Sequence, residues 1–257
     1  MSRIENAFKN GTAFIGFLTG GDPTIEKSAE LVDAMVEGGA DLVEIGIPFS
    51  DPIAEGPVIQ DANIRALANG CTTDSIFLLA EAVRKKHDVP LVFLTYLNPV
   101  FHYGYERFFA RCGDVGVDGI IIPDMPFEER GELNDIAAKN GVDVITLIAP
   151  TSAERIRMLS KEAKGFIYVV SSMGVTGVRS EIKTDLKSIL EVIKSCTDVP
   201  AAIGFGISTP EQAEKFSKIA DGVIVGSAIV KIIAQYGENA APYVRGYVQS
   251  MKKAARR

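Results

Sequence analysis

The chain has 257 residues and a formal net charge of −6, with 47% hydrophobic and 23% charged residues. This balance is typical of a folded chain with a large core and argues against a disordered protein. The negative charge argues against a nucleic-acid partner, because general nucleic-acid binders carry a net basic face. Only two histidines occur, which leaves little room for a histidine-rich metal site or a Ser-His-Asp site.

The cysteines and the apolar runs indicate the cellular compartment in which the protein is expected. Cys71, Cys112 and Cys196 form no CxxC pair and are far apart in sequence, which predicts free thiols in a reducing environment. The first ten residues lack the apolar stretch of a secretory signal, and no apolar run approaches the ~18 residues of a membrane span. We therefore expect a cytoplasmic protein with no membrane partner, a matured organelle protein being the alternative.

Eight short apolar runs recur along the chain, and each is followed by a segment of helical periodicity. Near-continuous runs of this kind are typical of parallel strands covered on both faces. The runs span residues 13–19, 41–46, 90–95, 118–123, 142–149, 165–171, 199–204 and 221–226. Eight units of about 32 residues predict one α/β domain over residues 1–257, a (β/α)8 TIM barrel with extra short helices. A doubly wound open sheet is the alternative, but no GxGxxG follows the first run.

Helix signals and long connections complete this outline. Amphipathic segments at 24–37 and 75–86 predict helices, and Ser152 and Thr209 are predicted N-caps. The connections at 47–73 and 172–182 are unusually long. Both follow the carboxyl end of a strand, which is the face where barrel active sites lie.

Glycine-rich loops follow the sixth, seventh and eighth predicted strands, at 174–177, 204–208 and 226–230. Glycine allows the backbone to approach an oxyanion, and amides at a helix N-terminus bind phosphate. A single glycine pair would indicate only a tight turn, but three adjacent loops predict a phosphate site. Recognition would use backbone amides together with the hydroxyls of Ser227 and Ser208.

Two carboxylates are the candidate acid–base groups. Glu44 interrupts an apolar strand and points into the barrel mouth or against a helix, and burial there should raise its pKa. A paired structural glutamate is the alternative. Glu55 follows eleven residues later in a proline-rich loop with Asp51, where by itself it would be interpreted as a solvated acid.

Apolar residues near the strand ends could line a pocket beside these acids, although core packing would explain each one singly. They are Phe17, Leu94, Tyr96, Ile121, Tyr168, Phe205 and Ile224. A phosphate site, a buried carboxylate and an apolar pocket together suit acid–base catalysis on a phosphorylated substrate with an apolar part.

Several segments together resemble the tryptophan synthase α subunit family. The most specific is VEIGIPFSDP at 43–52. The others, in chain order, are FLTGGDP at 17–23, GPVIQ at 56–60, YLNP at 96–99, GIIIPDMP at 119–126, GVTG at 174–177, GFGIS at 204–208 and GSAIVK at 226–231. The resemblance covers the whole chain.

This resemblance implies a retro-aldol cleavage of indole-3-glycerol phosphate to indole and glyceraldehyde 3-phosphate. Glu44 matches the family's catalytic glutamate, which shuttles a proton between the glycerol hydroxyl and indole C3. Glu55 matches the acid that accepts the indole N–H, a position where the family usually carries aspartate. Tyr168 matches a tyrosine beside the catalytic glutamate, and Thr176 matches a residue of a loop that closes over the substrate.

The resemblance also implies phosphate contacts and a partner. Gly177, Gly206, Gly226 and Ser227 match the family's phosphate contacts. Residues at the family's interface with its β subunit match Asp51, Pro52, Asn98 and Pro126. The expected complex is an αββα tetramer that passes indole through a tunnel to pyridoxal phosphate on the β subunit. The α chain itself is expected to bind neither that cofactor nor a metal.

Three other functions remain open at this point. The chain could be a stand-alone lyase that releases indole without a β partner. It could be another phosphate-binding barrel enzyme, although such an enzyme would lack the segment at 43–52. It could also be a subunit that activates the β chain and has weak lyase activity because of Glu55.

Overall fold

The computed structural model describes residues 2–170, 185–204 and 206–256. Its strands are all parallel and form one sheet of nine segments. The segments are β1 (Ala13–Thr19), β2 (Leu42–Gly46), β3 (Leu91–Leu94), β4 (Gly119–Ile121), β5 (Asp143–Val144), β6 (Thr146–Ile148), β7 (Ile167–Val170), β8 (Ala201–Gly204) and β9 (Gly222–Val225). Every predicted run contains a strand, and the fifth run contains two.

In the middle of this sheet, β1 pairs with both β2 and β9, so that Ile15 lies opposite Leu42 and Ile224. On the far side, β5 pairs with β4 and β6 pairs with β7. Ile145 joins these two short segments, and its N–H donates to the Ile120 carbonyl at 2.8 Å. The nine segments therefore act as eight barrel strands, and the predicted TIM barrel is confirmed.

Helices pack around the strands. They are α1 (Arg3–Ala7), α2 (Ile25–Glu37), α3 (Pro57–Ala68), α4 (Thr73–Arg84), α5 (Leu97–Tyr103), α6 (Tyr105–Val115), α7 (Gly131–Lys139), α8 (Ala153–Lys161), α9 (Leu186–Lys194), α10 (Pro210–Ser217), α11 (Ser227–Tyr236) and α12 (Ala241–Ala255). The predicted helices correspond to α2 and α4, and Ser152 and Thr209 cap α8 and α10 as predicted. The long connection at 47–73 contains α3, whereas the connection at 172–182 lies outside the described residues.

Side-chain alternation along the strands separates two apolar layers. The outer layer lies between strands and helices and includes Phe14, Val43 and Ile45. The inner layer fills the barrel; it contains Ile15, Leu42, Val92, Ile121, Ile145, Tyr168, Ala202 and Ile224. Because side chains alternate between faces of a strand, Glu44 faces the barrel interior together with Leu42. The interpretation that places Glu44 against a helix is therefore wrong.

The last helix is tied to the start of the first strand. Helix α12 packs on α2 and α10. The Lys252 ammonium donates to the Thr12 carbonyl at 3.0 Å and pairs with Asp41 at 2.5 Å. Asp41 also accepts the Phe14 N–H at 2.6 Å, so one carboxylate joins β1, the start of β2 and α12.

Two further expectations can be compared with the structure. All three cysteines are free thiols, and Cys71 and Cys112 are buried. Within the described ranges, every helix is too short or too polar to cross a bilayer.

Candidate active site

Glu44 is buried inside the barrel near the carboxyl end of β2. Glu44 is 1% exposed, and its Oε1 atom has no hydrogen-bond partner among the described residues. Burial disfavours the charged form and raises the pKa of Glu44 from 4.5 to about 8. At neutral pH this side chain is therefore mostly protonated and can donate a proton.

Tyr168 lies on β7 within the inner layer, where the charge of Glu44 affects the pKa of its phenol. Burial, followed by the charge of Glu44, raises the pKa of the Tyr168 phenol well above its usual value. Its ring lies against Gly204, where a Cβ atom would come within 2.4 Å of the Tyr168 hydroxyl oxygen. Glycine at 204 is therefore required for the tyrosine to occupy this position near Glu44.

Glu55 is buried rather than solvated, with 7% exposure, whereas Asp51 in the same loop is exposed. The Asn63 side-chain amide donates to Glu55 Oε2 at 2.7 Å. The Tyr96 hydroxyl donates to the same carboxylate and accepts the Ala54 N–H at 3.1 Å. Burial raises the pKa of Glu55 to about 7, while the bonds from Asn63 and Tyr96 oppose that rise.

Helix α3 brings Glu55 to the mouth of the barrel. Ile59 and Ala62 on its inner face form one buried cluster with Phe17 of β1 and Val230 of α11. Phe17 lies opposite Glu44 in the β1–β2 register. Asn63 follows Ile59 by four residues and thus lies on the same face of the helix. The two carboxylates therefore belong to one end of the barrel.

The structure brings most of the predicted pocket residues together. Ile121 and Ile224 lie in the inner layer with Tyr168, and Leu94 packs against both that layer and the Phe17 cluster. Tyr96 differs, because its hydroxyl binds Glu55 instead of simply lining an apolar wall. Phe205 lies outside the described residues.

The phosphate loops are described in part. Gly226 is the N-cap residue of α11, which begins at Ser227. No described side chain caps this terminus. Its first amides are therefore available to an anion. Gly206 has a φ of +92°, a conformation that suits glycine. The Ser208 hydroxyl donates to the side-chain carbonyl of Gln212 at 3.3 Å. Thr176 and Gly177 lie outside the described residues.

The predicted interface residues lie on the surface near the same end of the chain's strands. Asp51, Asn98 and Pro126 are exposed, and Pro52 is half-buried. Two large apolar side chains lie beside them in sequence, since Ile53 and Phe101 are each 70% exposed. Within the described ranges, no three His, Cys, Asp or Glu side chains gather as they would around a metal ion.

Sequence reasoning missed Asn63 and the role of Tyr96. The sequence analysis predicts only a long connection at 47–73 and assigns no helical face to the segment that carries Asn63. The signal was available in the apolar residues Val58, Ile59, Ala62 and Ala66, which recur at helical spacing after Pro57.

Comparisons with known proteins show the family of the chain. The family profile described as "Tryptophan synthase alpha chain" matches residues 4–256. The tryptophan synthase alpha chain of Lacticaseibacillus casei is 51% identical over 254 residues, covering 99% of this chain and 96% of that protein. The homologue from Thermoanaerobacter sp. strain X514 is 45% identical over 261 residues, covering 98% of this chain and 99% of that protein.

Solved structures give the same result. The tryptophan synthase alpha chain from Legionella pneumophila subsp. pneumophila superimposes with a TM-score of 0.89 at 35% identity, over 99% of this chain and 97% of that one. A chain of the tryptophan synthase complex from Pyrococcus furiosus has a TM-score of 0.87 at 34% identity, over 94% of this chain and 98% of that one. The chain therefore belongs to the tryptophan synthase alpha chain family and is a lyase of tryptophan biosynthesis that cleaves indole-3-glycerol phosphate.

Proposed function

We propose that Glu44 and Glu55 divide the acid–base work of this cleavage between them at the barrel mouth. The observation that carries the proposal is the burial of Glu44 inside the barrel with an unpartnered carboxyl oxygen in the described structure. A neutral carboxylic acid in such a site is suited to give a proton to carbon, which an exposed carboxylate at neutral pH is not.

Cleavage begins when the Glu44 carboxylic acid transfers its proton to indole C3, which forms an indolenine cation. The Glu44 carboxylate then takes the proton from the hydroxyl on the glycerol carbon bonded to C3. The electrons of that O–H bond form the aldehyde, the carbon–carbon bond breaks, and its electron pair restores the indole ring. The products are indole and glyceraldehyde 3-phosphate, and Glu44 is protonated again.

Glu55 has the complementary task. An ionised carboxylate accepts the indole N–H and stabilises the cation that forms when C3 is protonated. This role of Glu55 is supported by its burial and by the donors Asn63 and Tyr96, which favour its ionised form. Glutamate adds a methylene to the usual aspartate, and the contact with α3 gives this longer side chain a fixed position. Tyr168, kept neutral by its surroundings, packs beside Glu44.

The phosphate is bound, in this proposal, by the amides at the start of α11 and by Gly206, Gly226 and Ser227, with Gly177 and Thr176 closing the site. The residues proposed to contact the apolar part of the substrate are Phe17, Leu94, Ile121, Ile224 and Phe205. Support comes from the uncapped N-terminus of α11 and from the clustering of the described apolar residues.

We further propose that the chain acts as one domain in the cytoplasm, within an αββα tetramer with a β subunit that carries the pyridoxal phosphate. The free thiols support a reducing compartment. A solved relative from Pyrococcus furiosus is a tryptophan synthase complex. The exposed side chains Ile53 and Phe101 lie beside Asp51, Pro52, Asn98 and Pro126, and such a surface suits a protein partner.

The catalytic assignment is tested by assaying glyceraldehyde 3-phosphate release from the isolated chain and after addition of β subunit. Glu44→Gln should lower the rate by at least about 10³-fold in both cases, because it removes proton donor and base together. Normal turnover by this variant would contradict the mechanism. Undetectable cleavage by the unaltered chain, alone and with β subunit, would favour a role as a β-activating subunit.

The partner assignment is tested by gel filtration of the chain mixed with β subunit. Phe101→Glu should weaken the complex while leaving cleavage by the isolated chain unchanged. Met158→Glu on α8 is the control, because this partly exposed apolar residue lies outside the proposed interface. Equal binding by both variants would exclude this face as the docking site.

A further inference from the structure

We propose that Asn63 is a positioning residue that orients the Glu55 carboxylate toward the indole nitrogen of the substrate. This inference rests on the proposed role of Glu55 and adds a group that acts through it. Asn63 is 4% exposed, and its Nδ2 atom donates to Glu55 Oε2 at 2.7 Å. A buried charge-assisted bond of this kind fixes both the direction and the ionisation of the carboxylate.

The helix that carries Asn63 is itself fixed at both ends. At its start, the Gln60 side-chain amide donates to the Glu55 backbone carbonyl at 2.7 Å. Near its end, Arg65 forms two bonds with the buried Asp22 carboxylate, at 2.9 and 2.7 Å. Asn69 donates to the Pro23 carbonyl at 2.8 Å. Helix α3 is thereby held against the loop that follows β1.

These anchors make the Asn63 amide a preorganised donor. It occupies the middle of a clamped helix, on the face that packs over Phe17 through Ile59 and Ala62. The amide therefore does not have to be ordered when substrate binds. Preorganised donors of this kind supply most of the benefit of an electrostatic site, because no free energy is spent on reorientation during the reaction.

The contact between Asn63 and Glu55 also gives the two acids different protonation states. Glu44 and Glu55 are both buried, but Glu55 accepts bonds from Asn63 and Tyr96, whereas the Oε1 atom of Glu44 has no hydrogen-bond partner among the described residues. Donors favour the ionised form of a carboxylate, whereas burial alone favours the protonated form. Asn63 thus helps to make Glu55 the acceptor of the indole N–H while Glu44 remains the proton donor.

The experiment measures kcat/KM for indole-3-glycerol phosphate cleavage from pH 5.5 to 9.5 in variants of the full chain. The acid limb reports ionisation of Glu55, since only the carboxylate accepts the N–H. Asn63→Ala should move this limb upward by about one pH unit, because one donor is lost. At pH 6, kcat/KM should then fall about tenfold more than above the limb.

Asn63→Asp is the isosteric second variant. It keeps the shape of the side chain but places a second carboxylate against Glu55, so the acid limb should move further upward than in Asn63→Ala. Ile64→Ala is the matched control, because it truncates an exposed side chain next to Asn63 on the same helix. Its acid limb should stay at the wild-type position.

The outcomes separate this inference from the function on which it rests. A uniform loss of activity without movement of the acid limb would overturn the positioning role, since a structural defect acts equally at all pH values. Glu55→Gln is measured in parallel. If Glu55→Gln is inactive and Asn63→Ala leaves the limb in place, the inference alone fails. If Glu55→Gln retains full activity, the proposed role of Glu55 fails.

Discussion

Replacing Glu44 by glutamine should abolish cleavage and make the protein more stable at high pH. The folded-state pKa of Glu44 is raised from 4.5 to about 8 by burial. The folded chain therefore binds more protons at this site than the unfolded chain between these pH values, so its stability falls as pH rises through them. At about 1.4 kcal/mol per pKa unit, full ionisation above pH 8 costs about 5 kcal/mol.

Glutamine is neutral at every pH and avoids this cost. Urea unfolding followed by circular dichroism should show Glu44→Gln and the wild type nearly equal at pH 4.5. The variant should become several kcal/mol more stable by pH 9. Glu106→Gln on α6 is the control, because it alters an exposed glutamate and should give no pH-dependent gain. Equal stability of Glu44→Gln and wild type at pH 9 would refute the inference that burial holds Glu44 protonated.

Further predictions concern the active site. The kcat/KM profile of the wild type should be bell-shaped between about pH 7 and pH 8, because catalysis needs ionised Glu55 and protonated Glu44; a flat profile from pH 6 to 9 would contradict these roles. Glu55→Asp should retain cleavage with a loss of at most about 100-fold, because the shorter carboxylate is displaced by about 1 Å; cleavage is assayed by indole release. Gly204→Ala should lower kcat at least about tenfold, since its Cβ would meet the Tyr168 hydroxyl at 2.4 Å, whereas Gly131→Ala has open space and should be neutral. Ser227→Ala should raise KM more than it lowers kcat, and an unchanged KM would argue against a phosphate contact.

The barrel could be predicted because its strands are nearly continuous apolar runs. The direction of Glu44 could not, since alternation shows which residues share a face but not which face is inside. Packing of Leu42 with Ile15 and Val92 identifies the interior. The break between β5 and β6 at Ile145 could not be predicted either, because the run at 142–149 is uniformly suited to a strand.

The burial of Glu55 could not be predicted from the sequence. Its burial depends on α3 folding back over the barrel mouth, and that depends on contacts between distant residues such as Asp22 and Arg65. A local pattern rich in proline indicates a loop and says nothing about what covers it. The chemistry of the two acids follows from these tertiary contacts, which explains why residue type alone predicts a solvated acid at Glu55.

The bond between Lys252 and the start of β1 has a consequence for how the chain is made. The first strand needs both β9 as a neighbour and α12 as an anchor, and roughly 200 residues separate it from them. At about 5–20 residues per second, the ribosome takes tens of seconds to supply those partners. Throughout that time one edge of β1 has no strand to pair with. Completion of the barrel is therefore a late event in synthesis, and the nascent chain needs protection from aggregation until α12 has emerged.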